Sequence, residues 1–283
     1  MKIGSTSISN CKIGSTQISS IYIGSTLVWQ NIDADAQAFI TAAGITDATQ
    51  ISAIDTLVKA LKAASLWTKF YAIYPFVGGT ASTHKWNLCD PRDLDAAFRL
   101  AFSGGLTHSA TGILPNGVNG YANTYFNVFS QLAQNNLCGT YYSRTNSSIN
   151  GRDFGVNAVS FNQAFYLLIK NADGNYAIRV NTSITTANAM ADSSGFFAIN
   201  RLNATNQQLY RNGGGIVDAA VASVPCISDN LFLFATNKVT VGADSFTNRE
   251  CAFASFGDGL SVAEHGTLNT IVQAFQTTLG RAI

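Results

Sequence analysis

The first thirty residues repeat themselves in an unbroken register of ten: Lys2-Ile-Gly-Ser-Thr-Ser-Ile8-Ser, Lys12-Ile-Gly-Ser-Thr-Gln-Ile18-Ser and Tyr22-Ile-Gly-Ser-Thr-Leu-Val28-Trp29. A short run, a Gly-Ser-Thr turn and a second short run make a strand-turn-strand unit, because Gly tolerates positive φ and Ser/Thr side chains bond back to the turn backbone. Such a unit has almost no interior. Two-stranded ribbons are marginal alone in water, and repeats that cannot bury a face become stable on a neighbour or on another chain. Residues 1–30 are therefore expected to form an attachment segment whose missing half is supplied by a partner protein. Its docking side chains are Ile3, Ile8, Ile13, Ile18, Tyr22, Ile23, Val28 and Trp29. The alternative is a self-contained β-meander laid over the domain that follows, since strand addition is one of several ways to satisfy such backbone.

A chain of 283 residues with 47% hydrophobic content can fill one large or two modest cores. Only 12% of it is charged and the formal net charge is +1, which offers no basic stripe to a phosphate backbone, so nucleic acid is excluded as a partner. A surface so poor in charge is weakly protected against association and suits a protein held in an assembly. The start lacks the basic and apolar regions of a signal peptide, and no apolar run reaches the ~18 residues of a membrane span; a cytoplasmic product without membrane insertion is expected. Cys11, Cys89, Cys138, Cys226 and Cys251 are odd in number and lack a C-x-x-C pair, which fits reduced thiols.

After the repeats, Asp33 or Asp35 caps a short helix through Ala43, closed by Gly44, and Thr46 opens a second with Ile51, Ile54, Leu57, Val58 and Leu61 on one face. Residues 31–65 thus read as a helical neck, too short for a coiled coil and best packed against the next domain. From residue 66 to 283 the texture is β. Phe98, Leu100 and Phe102 alternate with smaller or polar residues; Phe165 to Ile169 turns at Asp173-Gly174 and returns through Tyr176 to Val180. Phe196–Leu202 with Gln207–Arg211 gives another hairpin, Asn212-Gly213 marks a further turn, and Asn230–Ala235 a further strand. Ser261-Val-Ala-Glu264 is a capping box opening a last helix with Leu268, Ile271, Val272, Phe275 and Leu279 on its apolar face, expected to close an edge of a two-sheet sandwich.

Two resemblances attach to particular segments. The progression Gly195–Arg201, Gln208–Gly213, Leu231–Ala235, Glu250–Ser261 and the closing helix resembles the second half of concanavalin A-like, laminin G-like domains, which implies a mainly β, jelly-roll sandwich. The Ile-Gly-Ser-Thr units are similar to attachment repeats in structural proteins of tailed phages, and Leu66–Gly79 resembles virion proteins of phages infecting gut Bacteroidota. The resemblance implies a virion component assembled in the host cytoplasm. It would be a tail fibre, head fibre or capsid decoration that docks to other virion proteins through residues 1–30, oligomerises, most often as a trimer, and carries a lectin-type head.

The chain has two glutamates, Glu250 and Glu264. Glycosidases on the resembled scaffold share a Glu-x-Asp-x-Glu strand that is absent here, and glycoside hydrolysis asks for two facing carboxylates, so no catalytic residue is assigned. Asp90, Asp93 and Asp95 form the densest acidic stretch, yet a hard cation wants six or more oxygens, and turn and strand-boundary roles account for them; no metal is assigned. His84, His108 and His265 lack zinc spacing, and no nucleophile elbow or phosphate loop is present, so no cofactor is expected. Recognition remains. Trp86, Asn87, Tyr121, Tyr125, Tyr141, Tyr142 and Arg144 gather aromatic faces, amides and a forked donor, a mixed lining that suits a glycan, although buried strand rings would look the same. The expectation is a non-enzymatic virion protein with a glycan-binding head. The alternatives are a free-standing lectin and, further off, a glycosidase using aspartates.

Overall fold

A computed structural model describes the chain except residues 1, 4, 5, 8–10, 14, 19, 24, 25 and 161; the side chains of residues 2, 3, 6, 7, 16, 17, 20, 22 and 26–30 are likewise outside the description. Each repeat forms its own antiparallel ribbon, Lys2–Ile3 with Thr6–Ser7, Lys12–Ile13 with Thr16–Gln17, and Ser20–Ile23 with Thr26–Gln30. Among the described residues no strand pairing joins one ribbon to another or to the rest of the chain.

Two helices follow. Helix α1 (Ala34–Ala43) is capped by Asp33, whose side chain accepts the Asp35 N–H, and ends at Gly44 with φ 67, the left-handed geometry glycine adopts without steric cost. Helix α2 (Ala48–Ala63) starts one residue later than the sequence indicates, because Asp47 and not Thr46 accepts the Gln50 N–H. Lys62 bridges Asp33 and Asp35 across the two helices, at 2.7 and 2.6 Å.

The body is a sandwich of two antiparallel sheets. One sheet runs in the order Gly214–Ala220, Asn206–Arg211, Gly195–Arg201, Leu137–Ser143, Cys251–Gly257, Gly112–Pro115 and Leu106–Ser109, with Phe70–Tyr74 also paired to Cys251–Gly257. The other runs Thr186–Ala189, Asn175–Val180, Ala164–Leu168, Phe154–Asn157, Asn230–Leu233, Tyr121–Asn127 and Ala101–Ser103, extended by Thr236–Lys238 and Gly242–Asp244. The expected hairpins are present: Phe165 faces Val180 and Leu167 faces Ile178, while Ala198 faces Tyr210 and Ile199 faces Leu209. Asn212 and Gly213 have φ 49 and 78 between two paired strands, the double positive φ of a primed hairpin turn. Phe98 departs from the expected alternation. It has φ 60 at the end of a helical turn, and the strand begins only at Ala101.

Between the sheets lies one core, with Tyr141, Phe197, Ile199 and Phe256 from the first sheet meeting Phe154, Phe165, Leu167 and Leu233 from the second. Gly139 is required there, since a Cβ would sit 2.8 Å from the Phe154 ring. A second core lies on the far side of the first sheet. There α1, α2 and the last helix, α3 (Val262–Thr278), pack on Tyr142, Phe196, Ala198, Tyr210 and Phe253. The capping box of Ser261 and Glu264 forms as expected, but α3 lies on a sheet face, not at an edge. The physical reason is alternation: Tyr142 and Phe253 point away from the inter-sheet core and need a cover. The architecture is therefore helices, covered sheet, open sheet.

Two buried histidines give this body a pH limit. His265 stacks on Tyr210 at 3.8 Å, and burial pulls its pKa down to about 4. His84 Nε2 accepts the Gly79 N–H at 3.2 Å, so in the neutral ring Nδ1 carries the proton and donates to His108 Nδ1 at 3.0 Å; burial, with His108 and Arg281 nearby, pulls His84 to about 3. Both folded pKa values lie below the ordinary 6.5, so the unfolded chain binds the extra protons. Stability is complete above pH ~6.5 and falls as pH drops towards 4, with each histidine contributing up to about 1.4 kcal/mol per pH unit. Urea unfolding between pH 7 and 4.5 is expected to show this slope, and His265→Phe to reduce it by about one proton. Parallel curves for the two proteins would refute the assignment.

Candidate functional site

Helices occupy the outside of the covered sheet, whereas among the described residues no helix or further sheet lies over the outside of the other one. The outward side chains a ligand can reach on this sheet are the half-buried alternate positions of Tyr121–Asn127 and Asn175–Val180, whereas Phe154–Asn157 and Ala164–Leu168 are buried at every position. On its Tyr121–Asn127 strand, Ala122 and Phe126 enter the core, so Tyr121, Asn123 and Tyr125 face outward. Tyr121 stacks on Phe232 of the neighbouring strand, with ring centroids 4.9 Å apart and planes 23° from parallel, and Phe246 stands 6.4 Å away. Tyr125 has φ 53 where the pairing register shifts between Asn123 and Asn127, and Asn123 Oδ1 accepts its N–H at 2.9 Å. That bulge re-aims the Tyr125 side chain, a common use of bulges at sites.

Further across the same face, Phe165 and Leu167 point inward, which forces Tyr166 outward opposite Gly155 and Arg179. The Arg152 guanidinium lies 4.4 Å from the centre of the Tyr166 ring and that of Arg179 5.9 Å from it. Arg152 Nη1 donates to Ser245 Oγ at 3.1 Å and Thr236 Oγ1 at 3.3 Å, and Arg179 Nε donates to Thr185 Oγ1 at 2.8 Å.

The seven residues singled out as a glycan lining are not brought together. Tyr121 and Tyr125 lie on the open face. Tyr141 and Tyr142 are fully buried and point to opposite sides of one strand, the first donating to Arg249 O in the inter-sheet core and the second to Gln273 Oε1 of α3. Asn87 is buried with both ends used, accepting the Ile73 and Cys89 N–H groups and donating to Tyr71 O and Ala97 O. Trp86 donates to Ser82 O and has the Lys85 ammonium 4.6 Å over its ring. Arg144 is divided between Glu250 Oε2 and Arg281 O. Of the docking residues, Ile13 and Ile23 are 74% and 71% exposed, and Ile18 is half-buried. Ile8 and the side chains of Ile3, Tyr22, Val28 and Trp29 lie outside the described residues.

Sequence reasoning missed Arg152, Tyr166, Arg179 and Phe232. The signal was the period-two phase: once Phe165, Leu167, Ile178 and Val180 are taken as inward, Tyr166 and Arg179 must share the outer side. Arg152 could not be found that way, because it precedes its strand and reaches the face only through its bridge to Phe246.

No protein-family model and no curated protein matches the chain. Solved structures do. Domain 4 of AbnA, a GH43 extracellular arabinanase from Geobacillus stearothermophilus, in complex with arabinotriose, is 12% identical over 71% of this chain and 98% of that one, with a TM-score of 0.44. The CBM40 of the Ruminococcus gnavus IT-sialidase, bound to alpha2,3 sialyllactose, is 21% identical over 48% of this chain and 84% of that one, with a TM-score of 0.35. The binding domain of botulinum neurotoxin serotype D is 12% identical over 73% of this chain and 52% of that one, with a TM-score of 0.45. Likenesses at these values assign no ligand to this chain, whose site is read from its own residues.

The two glutamates and the three aspartates of the 90–95 stretch are committed to cations. Glu250 receives Arg144 and the Thr111 hydroxyl; Glu264 caps α3 and meets Lys69. Asp90 pairs with Arg92, Asp93 with Lys85 and Arg99, and Asp95 with Arg99. Bonding to Arg92 holds the Asp90 carboxyl below its ordinary range, and bonding to Lys85 does the same for Asp93. Among the described residues no three His, Cys, Asp or Glu side chains are grouped to hold a metal ion.

Proposed function

We propose that this chain is a non-enzymatic binding protein of a larger assembly, docking through residues 1–30 and presenting the open sheet's outer face to a cell-surface glycan. The observation that carries the proposal is the contrast between a body with two filled cores and three ribbons, each a separate two-stranded sheet with open edges. A sandwich of this kind needs no help to fold, whereas an isolated ribbon buries too little to hold its shape. Exposed Ile13 and Ile23 occupy the same place in successive repeats, so a surface that receives one ribbon receives the next in the same way.

The resemblance of the repeats makes a tailed-phage virion the proposed assembly, and a homo-oligomer, with a trimer favoured, the proposed form. Many copies on one particle would raise weak single contacts to useful avidity through effective concentration. On the open face, half-buried Tyr121, backed by the buried Phe232 ring, offers an apolar plane to a sugar ring, while Asn123 beside it supplies directed hydrogen bonds, the usual division of labour in a site for a polar ligand. The pairing of both glutamates with cations favours binding over hydrolysis. A free lectin remains the second reading, and it requires the ribbons to be seated on the protein's own sandwich.

The full-length variant Ile13→Asp with Ile23→Asp separates the two. Its unfolding free energy is expected to stay within about 0.5 kcal/mol of the parent, as for surface changes in general, while incorporation into assembled particles is lost. Normal incorporation, or a large loss of stability, would overturn the docking role.

A further inference from the structure

The covered sheet ends in a bare edge. Its outermost strand, Gly214–Ala220, pairs on one side with Asn206–Arg211, and among the described residues no hydrogen bond is made to the backbone on its other side. At seven residues it is the longest outermost strand of the sandwich, against three or four for Leu106–Ser109, Thr186–Ala189 and Ala101–Ser103. Edges are usually blunted by lysine, proline or a bulge. The sequence here, GGIVDAA, holds neither lysine nor proline, and its one bulge, an extra residue at Ile216, leaves Val217–Ala220 in regular pairing. An added strand would find its backbone partners there.

Beside that edge, on the helical side of the sheet, lies a recess of about 270 Å³ bounded by Gln208, Tyr210, Ile216, Asp218 and Val262 at the start of α3. Ile216 and Val262 are exposed apolar walls. Asp218 is exposed as well, and its two carboxylate oxygens accept Asn206 Nδ2 at 2.8 Å and Gln208 Nε2 at 3.2 Å. The direction is set from the interior: the buried Asn200 side chain accepts the Leu260 N–H at 2.9 Å and donates to Gln208 Oε1 at 2.8 Å, which turns the Gln208 amide nitrogen towards Asp218. Among the described residues Asp218 forms no ion pair. Its charge bears on the recess, since burial first and the Asp218 carboxylate second push the Tyr210 phenol above its ordinary range. A carboxylate oriented by amides between apolar walls suits the end of a lysine side chain, whose methylenes meet the walls while the ammonium meets the charge. Each oxygen already holds one amide donor, so a compact ammonium fits better than a guanidinium fork, which needs both oxygens in parallel.

We propose that the edge Val217–Ala220 and this recess together receive an extended segment of a partner protein, which adds a strand to the covered sheet and places a lysine against Asp218. The two features are independent and point to one occupant. Backbone pairing asks for a strand, and the recess asks for a cation on an apolar stem at a position facing the helical side. The site uses neither the Tyr121 face nor the N-terminal ribbons, and it stands or falls without them.

Full-length protein is titrated into a fluorescein-labelled, end-blocked heptapeptide, Thr-Val-Thr-Lys-Thr-Val-Thr, whose valines share the lysine's face, and into its norleucine analogue, with anisotropy as the readout. The lysine peptide is expected to bind about fivefold more tightly, the modest gain of a solvent-accessible pair, and the gain to shrink as salt is raised. Asp218→Asn is expected to bring the two peptides to equal affinity with the thermal midpoint unchanged, since the side chain is exposed and the amide keeps its shape. Methylating alternate backbone nitrogens of the lysine peptide is expected to abolish binding in one phase and to leave it in the other, because only one edge of an added strand pairs. Equal affinity of the two peptides, a preference that survives Asp218→Asn, equal effects of the two methylation phases, or no binding of the lysine peptide each overturns the proposal.

Discussion

Asp153→Ala is expected to lower the unfolding free energy by about 3–5 kcal/mol, because it strands a buried cation. Asp153 and Arg249 are both fully buried, with Nη1 2.9 and 3.1 Å from the two carboxylate oxygens. The carboxylate also accepts the Ile169 N–H at 2.8 Å and the Thr247 hydroxyl at 3.0 Å, while Arg249 Nη2 donates to Lys170 O and Ser147 O. Asp153 precedes the open sheet's strand Phe154–Asn157 and Arg249 precedes the covered sheet's strand Cys251–Gly257, so the pair bolts the two sheets together at one end. In water the ion pair would contribute little; in a dry interior the loss of one partner leaves a charge that neither solvent nor protein can satisfy. Arg249→Met is expected to cost a similar amount. The double variant Asp153→Ala with Arg249→Met should cost less than the sum of the two, since it removes both charges at once. Chemical denaturation of the four proteins completes the cycle. A single-variant loss under about 1 kcal/mol would show that water reaches the pair.

That tie was not legible in the sequence, and the reason generalises to much of the site. Neither Asp153 nor Arg249 carries a pattern, and their contact spans 96 residues of chain. What periodicity can report is local: the hairpins 164–168/175–180 and 195–201/206–211, the Asn212-Gly213 turn, the Asp33 and Ser261 caps and the apolar stripe of α2 all follow from neighbours in sequence. Three strands carried a further clue. Leu137–Ser143, Gly195–Arg201 and Cys251–Gly257 are buried at every position, and their sequences, LCGTYYS, GFFAINR and CAFASFG, do not alternate between apolar and polar as half-solvated strands do. Apolar groups in both phases mean a covered outer face, which helices supply on this sheet; Ala164–Leu168 of the other sheet is buried at every position as well, with the Arg152 guanidinium over Tyr166, so the pattern reports cover without saying what provides it. The same clue removes Tyr141 and Tyr142 from any surface. Aromatic enrichment alone could not, because a ring that lines a site and a ring that fills a core share one composition.

The C-terminal tail is expected to be as consequential as the core pair. Arg281 is buried, and its guanidinium reaches Gln276 Oε1 of α3, Pro75 O, Phe76 O and Ala252 O, so that one side chain joins the last helix, the segment after strand Phe70–Tyr74 and the central strand Cys251–Gly257. Burial and the adjacent Arg144 pull its pKa down to about 9, so it remains charged at neutral pH. The carbonyl that it holds at 2.7 Å belongs to Phe76, a buried aromatic residue at φ 44, where a bulky side chain adopts the left-handed region at a cost of about 1–3 kcal/mol. A cation whose partners are mainly backbone carbonyls gains no ion-pair energy to offset its desolvation; what it contributes is the satisfaction of oxygens that would otherwise be dry. Arg281→Met keeps much of the packing and removes those bonds, each dry carbonyl costing about 1–3 kcal/mol before relaxation, so a net loss of about 4 kcal/mol is expected. Arg281→Lys should recover part of that loss, because an ammonium retains the charge but cannot span the oxygens a guanidinium fork reaches. Urea unfolding measures both, and amide exchange localises them: faster exchange at Val77 and around Ala252 in Arg281→Met, with the distant hairpin 164–168/175–180 less affected, is the signature of a released tail. If Arg281→Met stays within about 1 kcal/mol of the parent, the Pro75–Phe76 segment holds its shape without the arginine and the bolt proposed for the C-terminus is absent.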